Sequence, residues 1–406
     1  MMIPEQVQQQ ETARGSSLSP NHQQLMKRKI LIVADSSGSL IDFRGKLIEA
    51  LTVNNEVNIF TPKILKDHIR TKLLDWKVII HENSLNGSNV SIASDIKYIL
   101  DLYKTIRIVK PDVVFPYAFK PVIYGGMVAA ACRVKHITPM LTGLGNTFQD
   151  NNAKRIVKAL TKSLLKLTLN SRKGLKIIFH NDDDRKTLIQ HEIISQKSRT
   201  YVVNGSGVDL EHYSYSSPPD TKSLTFLMIA RLINAKGVRE FYQAALILRE
   251  KYPDVRFQLA GPYDDNVDAI DQDLYERIRS GPVLNYLGEV DDIRSLIRES
   301  SIVVLPSYRE GLPRCMLEAM AMGRAIITAD SVGCRETIST SENYPNGFLV
   351  PVKDVGALVS KMEYFINNRA EVLRFGINGR RYAAERFDVQ KVNRDMLSIL
   401  EASDNN

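Results

Sequence analysis

The first half of the chain alternates short apolar runs with longer segments whose apolar residues have helical spacing. Residues 29–34 are almost entirely apolar, which predicts a buried strand, and turn residues at 35–39 end it. A helix carrying Leu47, Ile48 and Leu51 follows, and residues 56–60 predict the next strand. Strands separated by helices favour a parallel sheet. Further strands are predicted at 78–80, 113–115, 137–141 and 176–179.

The same alternation begins again after the Ser- and Pro-rich segment 216–222, which predicts a linker. Strands are predicted at 224–229, 255–260, 283–287, 302–305 and 325–328, and a helix at 389–402 is expected to cross back onto the first domain. The Gln- and Ser-rich segment 1–27 lacks periodicity and predicts a disordered tail. We therefore expect an α/β protein with Rossmann-like domains at 28–215 and 216–385, and a C-terminal helical segment at 386–406.

Composition and charge narrow the class of protein. No apolar run approaches the roughly 20 residues that cross a bilayer, and the polar N-terminus has no signal-peptide core, so we expect a cytoplasmic protein. Three widely spaced cysteines fit a reducing compartment and predict no metal site. Residues 1–210 hold 30 Lys and Arg against 18 Asp and Glu, whereas the remainder holds 24 against 28. A basic first half predicts an anionic partner, which could be nucleic acid, a membrane surface or a phosphate-bearing acceptor.

The segment 301–323 is the most informative part of the chain. A predicted strand at 301–306 leads into a predicted helix, where Pro313 suits the first turn and Gly323 suits the exit. Unpaired N–H groups at this helix start, near Gly311 and Leu312, form a site for an anion such as a phosphate. We therefore expect Gly311, Leu312 and Pro313 to contribute to nucleotide binding.

Two carboxylates flank this helix start. Glu310 and Glu318 are eight residues apart, roughly two helical turns, so both can face one crevice. Glutamates on a helix most often form a solvated face, but Met316, Leu317 and Met320 indicate a packed helix, and a buried Glu318 needs a partner. A phosphate-ready helix with two convergent carboxylates suits a nucleotide sugar.

The pattern resembles the E-x7-E signature of retaining glycosyltransferases with the GT-B fold, in particular glycosyltransferase family 4. Residues 323–330 (GRAIITAD) and 333–337 (GCRET) continue the likeness. The resemblance implies two Rossmann-like domains with parallel sheets facing a central cleft, and a retaining, metal-independent enzyme with no cofactor besides its nucleotide-sugar substrate. Asp271-Gln272-Asp273 matches the D-x-D of metal-dependent glycosyltransferases, but it lies in a polar surface stretch, and we reject it as a metal site.

Arg231 and Lys236 follow the first predicted strand of the second domain. They are five residues apart across a loop, close enough to hold one diphosphate, whose charge grows as it leaves the sugar. A solvated pair is the alternative, but family 4 enzymes place an Arg and a Lys at these positions for this purpose. The resemblance also implies that Glu310 lies near the donor sugar and that Glu318 binds the ribose hydroxyls.

Three further residues are assigned to the nucleotide. Gly288 and Val290 resemble the loop whose backbone reads the base. Gly38, in the turn after the first strand, is compatible with the approach of a phosphate, although an ordinary tight turn explains it equally well.

One departure from family 4 concerns the loop after the strand that ends at Phe115. Many members carry a histidine there, which meets the donor sugar, whereas this chain has none. We assign Lys120 to that role, with Tyr117 as the alternative. His136 and His180 lie in or beside apolar strands and are interpreted as core or edge residues.

Features of the first domain point towards the acceptor. Residues 43–44, 120–125, 142–145 and 203–209 resemble the subset of family 4 that adds N-acetylhexosamines to polyprenyl-diphosphate-linked saccharides. Residues 152–167 form a basic amphipathic pattern, with lysines every four residues at 154, 158, 162 and 166. A solvated face over a packed core explains this pattern about as well as a helix that rests on an anionic leaflet or holds a lipid diphosphate.

The sequence therefore predicts a retaining glycosyltransferase on the inner face of the cell membrane, with a UDP-sugar donor and a polyprenyl-diphosphate-linked acceptor. A soluble acceptor or another nucleotide sugar stays open. A dinucleotide-dependent oxidoreductase is disfavoured because no G-x-G-x-x-G turn follows the first strand. A nucleic-acid-binding protein is disfavoured because no recognition module accompanies the basic residues, so no nucleic-acid partner is expected.

Overall fold

The computed structural model describes residues 27–83, 92–148, 155–172, 174–219, 223–263 and 268–402. In the first domain, strands β1 to β8 span Arg28–Val33, Asn55–Pro62, Ile79–Asn83, Val113–Pro116, His136–Ile137, Met140–Leu141, Ile177–Phe179 and Thr200–Val202. Helices α1 to α7 span Gly38–Asp42, Gly45–Asn54, Asp67–Asp75, Ile92–Val109, Phe119–Ala131, Arg155–Leu169 and Asp182–Gln190.

The second domain repeats the alternation of strands and helices. Strands β9 to β14 span Thr225–Ile229, Arg256–Ala260, Asn285–Tyr286, Ile302–Leu305, Ala325–Ala329 and Gly347–Val350. Helices α8 to α13 span Val238–Lys251, Gln272–Ser280, Arg294–Glu299, Arg314–Ala321, Val355–Asn367 and Arg369–Tyr382, and the C-terminal helix α14 spans Val389–Glu401.

Every sheet is parallel. The first domain has a five-stranded sheet of order β3-β2-β1-β4-β5 and a three-stranded sheet of order β6-β7-β8, and the second domain has a six-stranded sheet of order β11-β10-β9-β12-β13-β14. Buried, β-branched and apolar strands such as β12 and β13 explain this arrangement, because helices cover both faces of a parallel sheet. The predicted α/β architecture with parallel, Rossmann-like sheets is confirmed.

The predicted strand at 137–141 is wrong as a single strand. The chain pairs with β4 through His136–Ile137, and then leaves that ladder to pair with β7 through Met140–Leu141. Pro139 lies at the change of partner, where it has no N–H to donate to the first ladder. The sequence analysis also missed the short strands β8 and β14.

Helix α14 packs on α2 of the first domain. Its buried side chains Val392, Met396 and Ile399 belong to the same hydrophobic cluster as residues of β1 and α2. The buried ammonium of Lys176 donates to the carbonyl oxygen of Ile399 at 2.9 Å, which fixes the end of the helix. The C-terminal helix therefore lies on the first domain, while the exact domain boundaries stay predictions.

The predicted linker begins at Ser216, and residues 220–222 of it lie outside the described part of the chain. Arg324, which is fully buried, donates to carbonyl oxygens of Ser216, Ile297 and Arg298. The described residues of the linker do not belong to a sheet, and the Arg324 guanidinium attaches them to the second domain.

Candidate active site

The loops after β9 and β12 meet at the carboxyl edge of the second sheet, where ligands bind in doubly wound folds. Lys236 Nζ lies 2.5 Å from Glu310 Oε1. The side chains are only 20% and 14% exposed, so the pair is shielded from water. The structure therefore brings together two of the residues that the sequence assigned to the diphosphate and the donor sugar.

A glycine makes this approach possible. Gly237 has a φ of +76°, and a Cβ there would lie 2.3 Å from the carbonyl oxygen of Pro306. Next to it, the Tyr308 N–H donates to the carbonyl oxygen of Ala235 at 2.8 Å. A residue with a side chain at position 237 would separate the two loops and move Lys236 away from Glu310.

Arg231 lies on the other side of this loop, exposed, in a recess that it shares with Val290 and Ile293. Gly288, at the rim of the same region, has a φ of +68°, and a Cβ there would meet no heavy atom within 4 Å. Its carbonyl oxygen accepts from the N–H of Gly261 at 2.7 Å. Arg231, the predicted diphosphate cation, thus lies in one recess with Val290 of the predicted base-reading loop, and this recess is open to solvent.

Helix α11 begins one residue later than the sequence suggested. Pro313 is its N-cap, with an extended ψ of 111°, so Gly311 and Leu312 precede the helix instead of forming its first turn. Within the described residues, no acceptor contacts the N–H groups of Gly311 and Leu312. These two N–H groups can therefore donate to an anion such as a phosphate.

Glu318 is 5% exposed and has the partner that its burial requires. The guanidinium of Arg314 lies 2.7 Å from its carboxylate, one helical turn away. Burial and the Glu318 carboxylate raise the pKa of Tyr213, so this hydroxyl stays protonated beside the carboxylate. Desolvation likewise raises the pKa of the half-buried Cys315 thiol, as do Glu318 and Glu310, so the thiol stays protonated and unreactive.

Two residues of the first domain were assigned to the site, Lys120 to the donor sugar and Gly38 to the nucleotide. Lys120, in the first turn of α5, pairs with Asp95 of α4 at 3.4 Å, and Tyr124 donates to the same carboxylate at 2.8 Å. Gly38 begins α1 without a positive φ, and a Cβ there would lie 3.8 Å from its neighbours. The structure therefore gives no steric reason for a glycine at position 38.

In the first domain, a buried cation contacts neutral groups. Arg44 is 3% exposed, donates to His180 Nε2 at 3.0 Å and lies 5.5 Å from the centre of the Tyr117 ring. Burial lowers the pKa of Arg44 to about 10, and burial together with Arg44 holds the pKa of His180 well below its usual range. His180 is therefore a neutral, buried acceptor, and Tyr117 is engaged in the same cluster.

The D-x-D segment has structural roles. Asp271 caps α9 by accepting from the Leu274 N–H at 2.9 Å and pairs with Arg239, while Asp273 pairs with Arg277. In the described residues, no group of three or more metal-ligating side chains occurs.

The sequence analysis missed the residues of the first domain that contact the segment around Glu310. Asp184 pairs with Arg309, and the Asn181 amide donates to the carbonyl oxygen of Gly311 at 2.8 Å. The signal for them was the Asn-Asp-Asp-Asp run after a predicted strand, at the same sheet edge as the other site residues.

Residues 211–382, which contain the Arg231, Lys236, Glu310 and Glu318 positions, match the family described as Glycosyl transferases group 1. The chain carries a group 1 glycosyltransferase domain. This enzyme is 29% identical over 365 residues, 86% of its chain and 92% of the other, to an N,N'-diacetylbacillosaminyl-diphospho-undecaprenol alpha-1,3-N-acetylgalactosaminyltransferase of Campylobacter jejuni. It is 26% identical, over 68% of its chain and 71% of the other, to a UDP-Gal:alpha-D-GlcNAc-diphosphoundecaprenol alpha-1,3-galactosyltransferase of Escherichia coli.

Solved structures show the fold of the glycosyltransferase. HepE of Anabaena, in complex with UDP and glucose, is similar with a TM-score of 0.71 and 18% identity, over 93% of this chain and 100% of that one. Sucrose-phosphate synthase of Thermosynechococcus elongatus is similar with a TM-score of 0.72 and 17% identity, over 92% and 98% of the chains. The predicted GT-B fold is confirmed.

Proposed function

We propose that this glycosyltransferase moves an N-acetylhexosamine from a UDP-sugar to a polyprenyl-diphosphate-linked saccharide, in the assembly of a surface polysaccharide or another glycan. The observation that carries the proposal is the shielded Lys236–Glu310 pair, on loops at the carboxyl ends of β9 and β12. The names of both relatives specify a sugar linked to diphosphoundecaprenol, and the Campylobacter jejuni enzyme transfers N-acetylgalactosamine.

In the proposed reaction, Arg231 and Lys236 hold the diphosphate and stabilise the charge that it gains as it leaves. Glu310 lies beside the donor sugar, and because it already contacts Lys236, the ammonium links the sugar to the diphosphate. Glu318 accepts from the ribose hydroxyls, and the backbone at Gly288 and Val290 contacts the base. We propose that the two cations neutralise the diphosphate, so that the reaction needs no metal ion and no cofactor.

We propose that the reaction retains the anomeric configuration. The acceptor hydroxyl attacks from the face on which the diphosphate leaves, and a departing phosphate oxygen takes up its proton. The alpha linkages in the names of both relatives support this proposal, because an alpha product from an alpha-linked UDP-sugar requires retention. Lys120, held by Asp95, is proposed to contact the donor sugar from the first domain.

We also propose peripheral contact between the first domain and the anionic inner face of the cell membrane. Lys154 of the predicted basic helix lies outside the described residues. The described helix, α6, exposes apolar side chains that would be buried if they belonged to a packed core face. Ile156 and Leu160, one turn apart, are 86% and 60% exposed, and Lys166 is exposed on the same helix. Apolar side chains flanked by lysines bind to anionic lipid surfaces. No helix in the described residues is long and apolar enough to span a bilayer.

Flotation with vesicles tests the membrane proposal. Anionic vesicles should carry the wild-type protein upwards and neutral vesicles should not, and the double variant Ile156→Ser/Leu160→Ser should bind more weakly. The matched control is Leu373→Ser/Ile377→Ser on α13 of the second domain, which removes two exposed apolar side chains at the same spacing. Equal binding by both double variants would contradict a role for α6.

Transfer of label tests the proposed function. Purified protein is incubated with a lipid-linked sugar extract and a panel of labelled UDP- and GDP-sugars, with and without a chelator, and label is followed into the organic phase. We expect transfer from one UDP-N-acetylhexosamine, unaffected by the chelator, lost in Glu310→Gln and kept in Glu342→Gln, an exposed glutamate. Hydrolysis without transfer would favour a soluble acceptor, and no turnover with any donor would contradict the proposal.

A further inference from the structure

The segment that carries Glu310 contacts both domains. We call residues 309–312 the Glu310 loop. Within its own domain, the Glu310 N–H donates to the carbonyl oxygen of Val332 at 2.9 Å, and Gly333 leaves no space beneath it, since a Cβ there would lie 2.4 Å from the Glu310 carbonyl oxygen. The opposite side of the loop rests on the first domain.

The contact with the first domain is made by the start of α7. Asp184 is fully buried and forms an ion pair with Arg309, whose side chain is 14% exposed. The Asn181 amide donates to the carbonyl oxygen of Gly311 at 2.8 Å. The two residues on either side of Glu310 are therefore held by one turn of the other domain.

This turn is itself rigid. The Asn181 side-chain oxygen accepts from the Asp184 N–H at 2.8 Å, which caps α7, and the amide nitrogen lies 3.2 Å from the Asp184 carboxylate. Asn181 thus contacts the helix start, the Asp184 carboxylate and the Glu310 loop at once. A buried side chain whose hydrogen bonds are all satisfied is held in one conformation. The position of the Glu310 loop therefore follows the position of the first domain.

We propose that Asp184 and Asn181 are positioning residues, which set the place of Glu310 when the two domains are closed. The inference rests on the proposed function for the role of Glu310, and it adds that the acceptor domain controls the donor-sugar carboxylate. Transfer then depends on the turn 181–184 more strongly than nucleotide binding does, because Arg231 and Val290 line a recess of the second domain to which, among the described residues, the turn contributes nothing.

A neighbouring ion pair provides the control. Asp183, on the same turn, lies 2.5 Å from Arg335 of the second domain, but these side chains are 30% and 41% exposed and make no contact with the Glu310 loop in the described residues. Exposed pairs of this kind contribute little to stability. Loss of Asp183 therefore tests contact between the domains without disturbing Arg309 or Gly311.

The experiment compares Asp184→Asn with Asp183→Asn. We expect Asp184→Asn to lower kcat about 10- to 100-fold, since a displacement near 1 Å has this effect on a reacting group. The dissociation constant for UDP, measured by calorimetry, should rise by clearly less than kcat falls, because only part of the predicted nucleotide site lies in the Glu310 loop. Asp183→Asn should keep kcat within about twofold. Hydrogen exchange of the amides at 309–312 should be faster in Asp184→Asn alone.

Burial of an unpaired Arg309 could destabilise Asp184→Asn, so the double variant Asp184→Asn/Arg309→Gln, which removes both charges, is measured beside it. The proposal is overturned if the folded variants keep kcat within about twofold of wild type. It is also overturned if Asp183→Asn loses as much activity, or if UDP binding falls in proportion to kcat. If the wild-type enzyme transfers no sugar, the proposed function is wrong. Hydrogen exchange of the amides at 309–312 in Asp184→Asn still shows whether the turn 181–184 holds the Glu310 loop.

Discussion

A methyl group added at Gly311 tests how closely the two domains must approach for transfer. A Cβ at this position would lie 1.6 Å from the Thr142 carbonyl oxygen and 3.4 Å from the Gly143 N. Ordinary C···O contacts begin at about 3.3 Å, so Gly311→Ala has to move the Glu310 loop away from the first domain by about 1.7 Å. Backbone forms the obstacle, which a change of side-chain rotamer cannot relieve.

The size of the effect follows from this displacement. A misplacement of about 1 Å lowers the rate of a reacting group roughly 100-fold, so we expect kcat of Gly311→Ala to fall at least about 100-fold. Arg231 and Val290 line a separate recess in the second domain, so affinity for UDP should fall by much less than kcat does, by less than about tenfold.

Initial rates of label transfer and calorimetric titration with UDP measure the two effects. Gly356→Ala is the matched control, because Gly356 lies in the first turn of α12, where a Cβ would meet only the Asp354 carboxylate at 3.5 Å. If Gly311→Ala kept more than about a third of the wild-type kcat, the close contact between the domains would have no part in transfer.

Three further perturbations have expected outcomes. Lys236→Met should lower kcat about 10²- to 10³-fold in the same transfer assay, because it removes a cation that stabilises the leaving diphosphate, and activity near wild type would contradict that role. Folded His180 resists the proton that an unfolded histidine binds near pH 6.5, so the free energy of unfolding should fall by up to about 1.4 kcal/mol per pH unit as the pH drops below this value. Urea titrations between pH 7.5 and 5.5, roughly one unit either side of the unfolded pKa, should show a weaker dependence in His180→Gln, and equal slopes would contradict the assignment. Arg324→Met should lower the free energy of unfolding by at least about 3 kcal/mol in urea, because several buried carbonyl oxygens lose their donor, and a loss below about 1 kcal/mol would refute this account.

Periodicity and motif spacing predicted the parts of the fold that depend on local sequence. The strands that end before Arg231 and Glu310 were located, because apolar runs and turn residues mark them within a few positions. The change of sheet at Pro139 was not predictable, since it depends on which neighbouring strand is free to pair. Periodicity also cannot show that Ile156 and Leu160 stay exposed, because exposure depends on what packs against α6.

The candidate site divides in the same way. Lys236 and Glu310 were assigned from the motif and its resemblance, and the structure joins them in a pair. Asp184 is about 125 residues away from Arg309, and its contact depends on how two domains dock, which no spacing rule describes. Arg324 was visible only as part of a matching motif, although it has the most extensive set of buried hydrogen bonds to the linker.

The anomeric configuration of the new linkage is the most direct test of the account. Its central claim is front-face transfer from a nucleotide sugar, with the diphosphate held by Arg231 and Lys236 beside Glu310. We expect NMR of the purified product to show that the wild-type enzyme keeps the configuration of the donor. An inverted linkage would contradict the claim, because the acceptor would then attack from the face opposite the diphosphate and a separate base would have to take its proton.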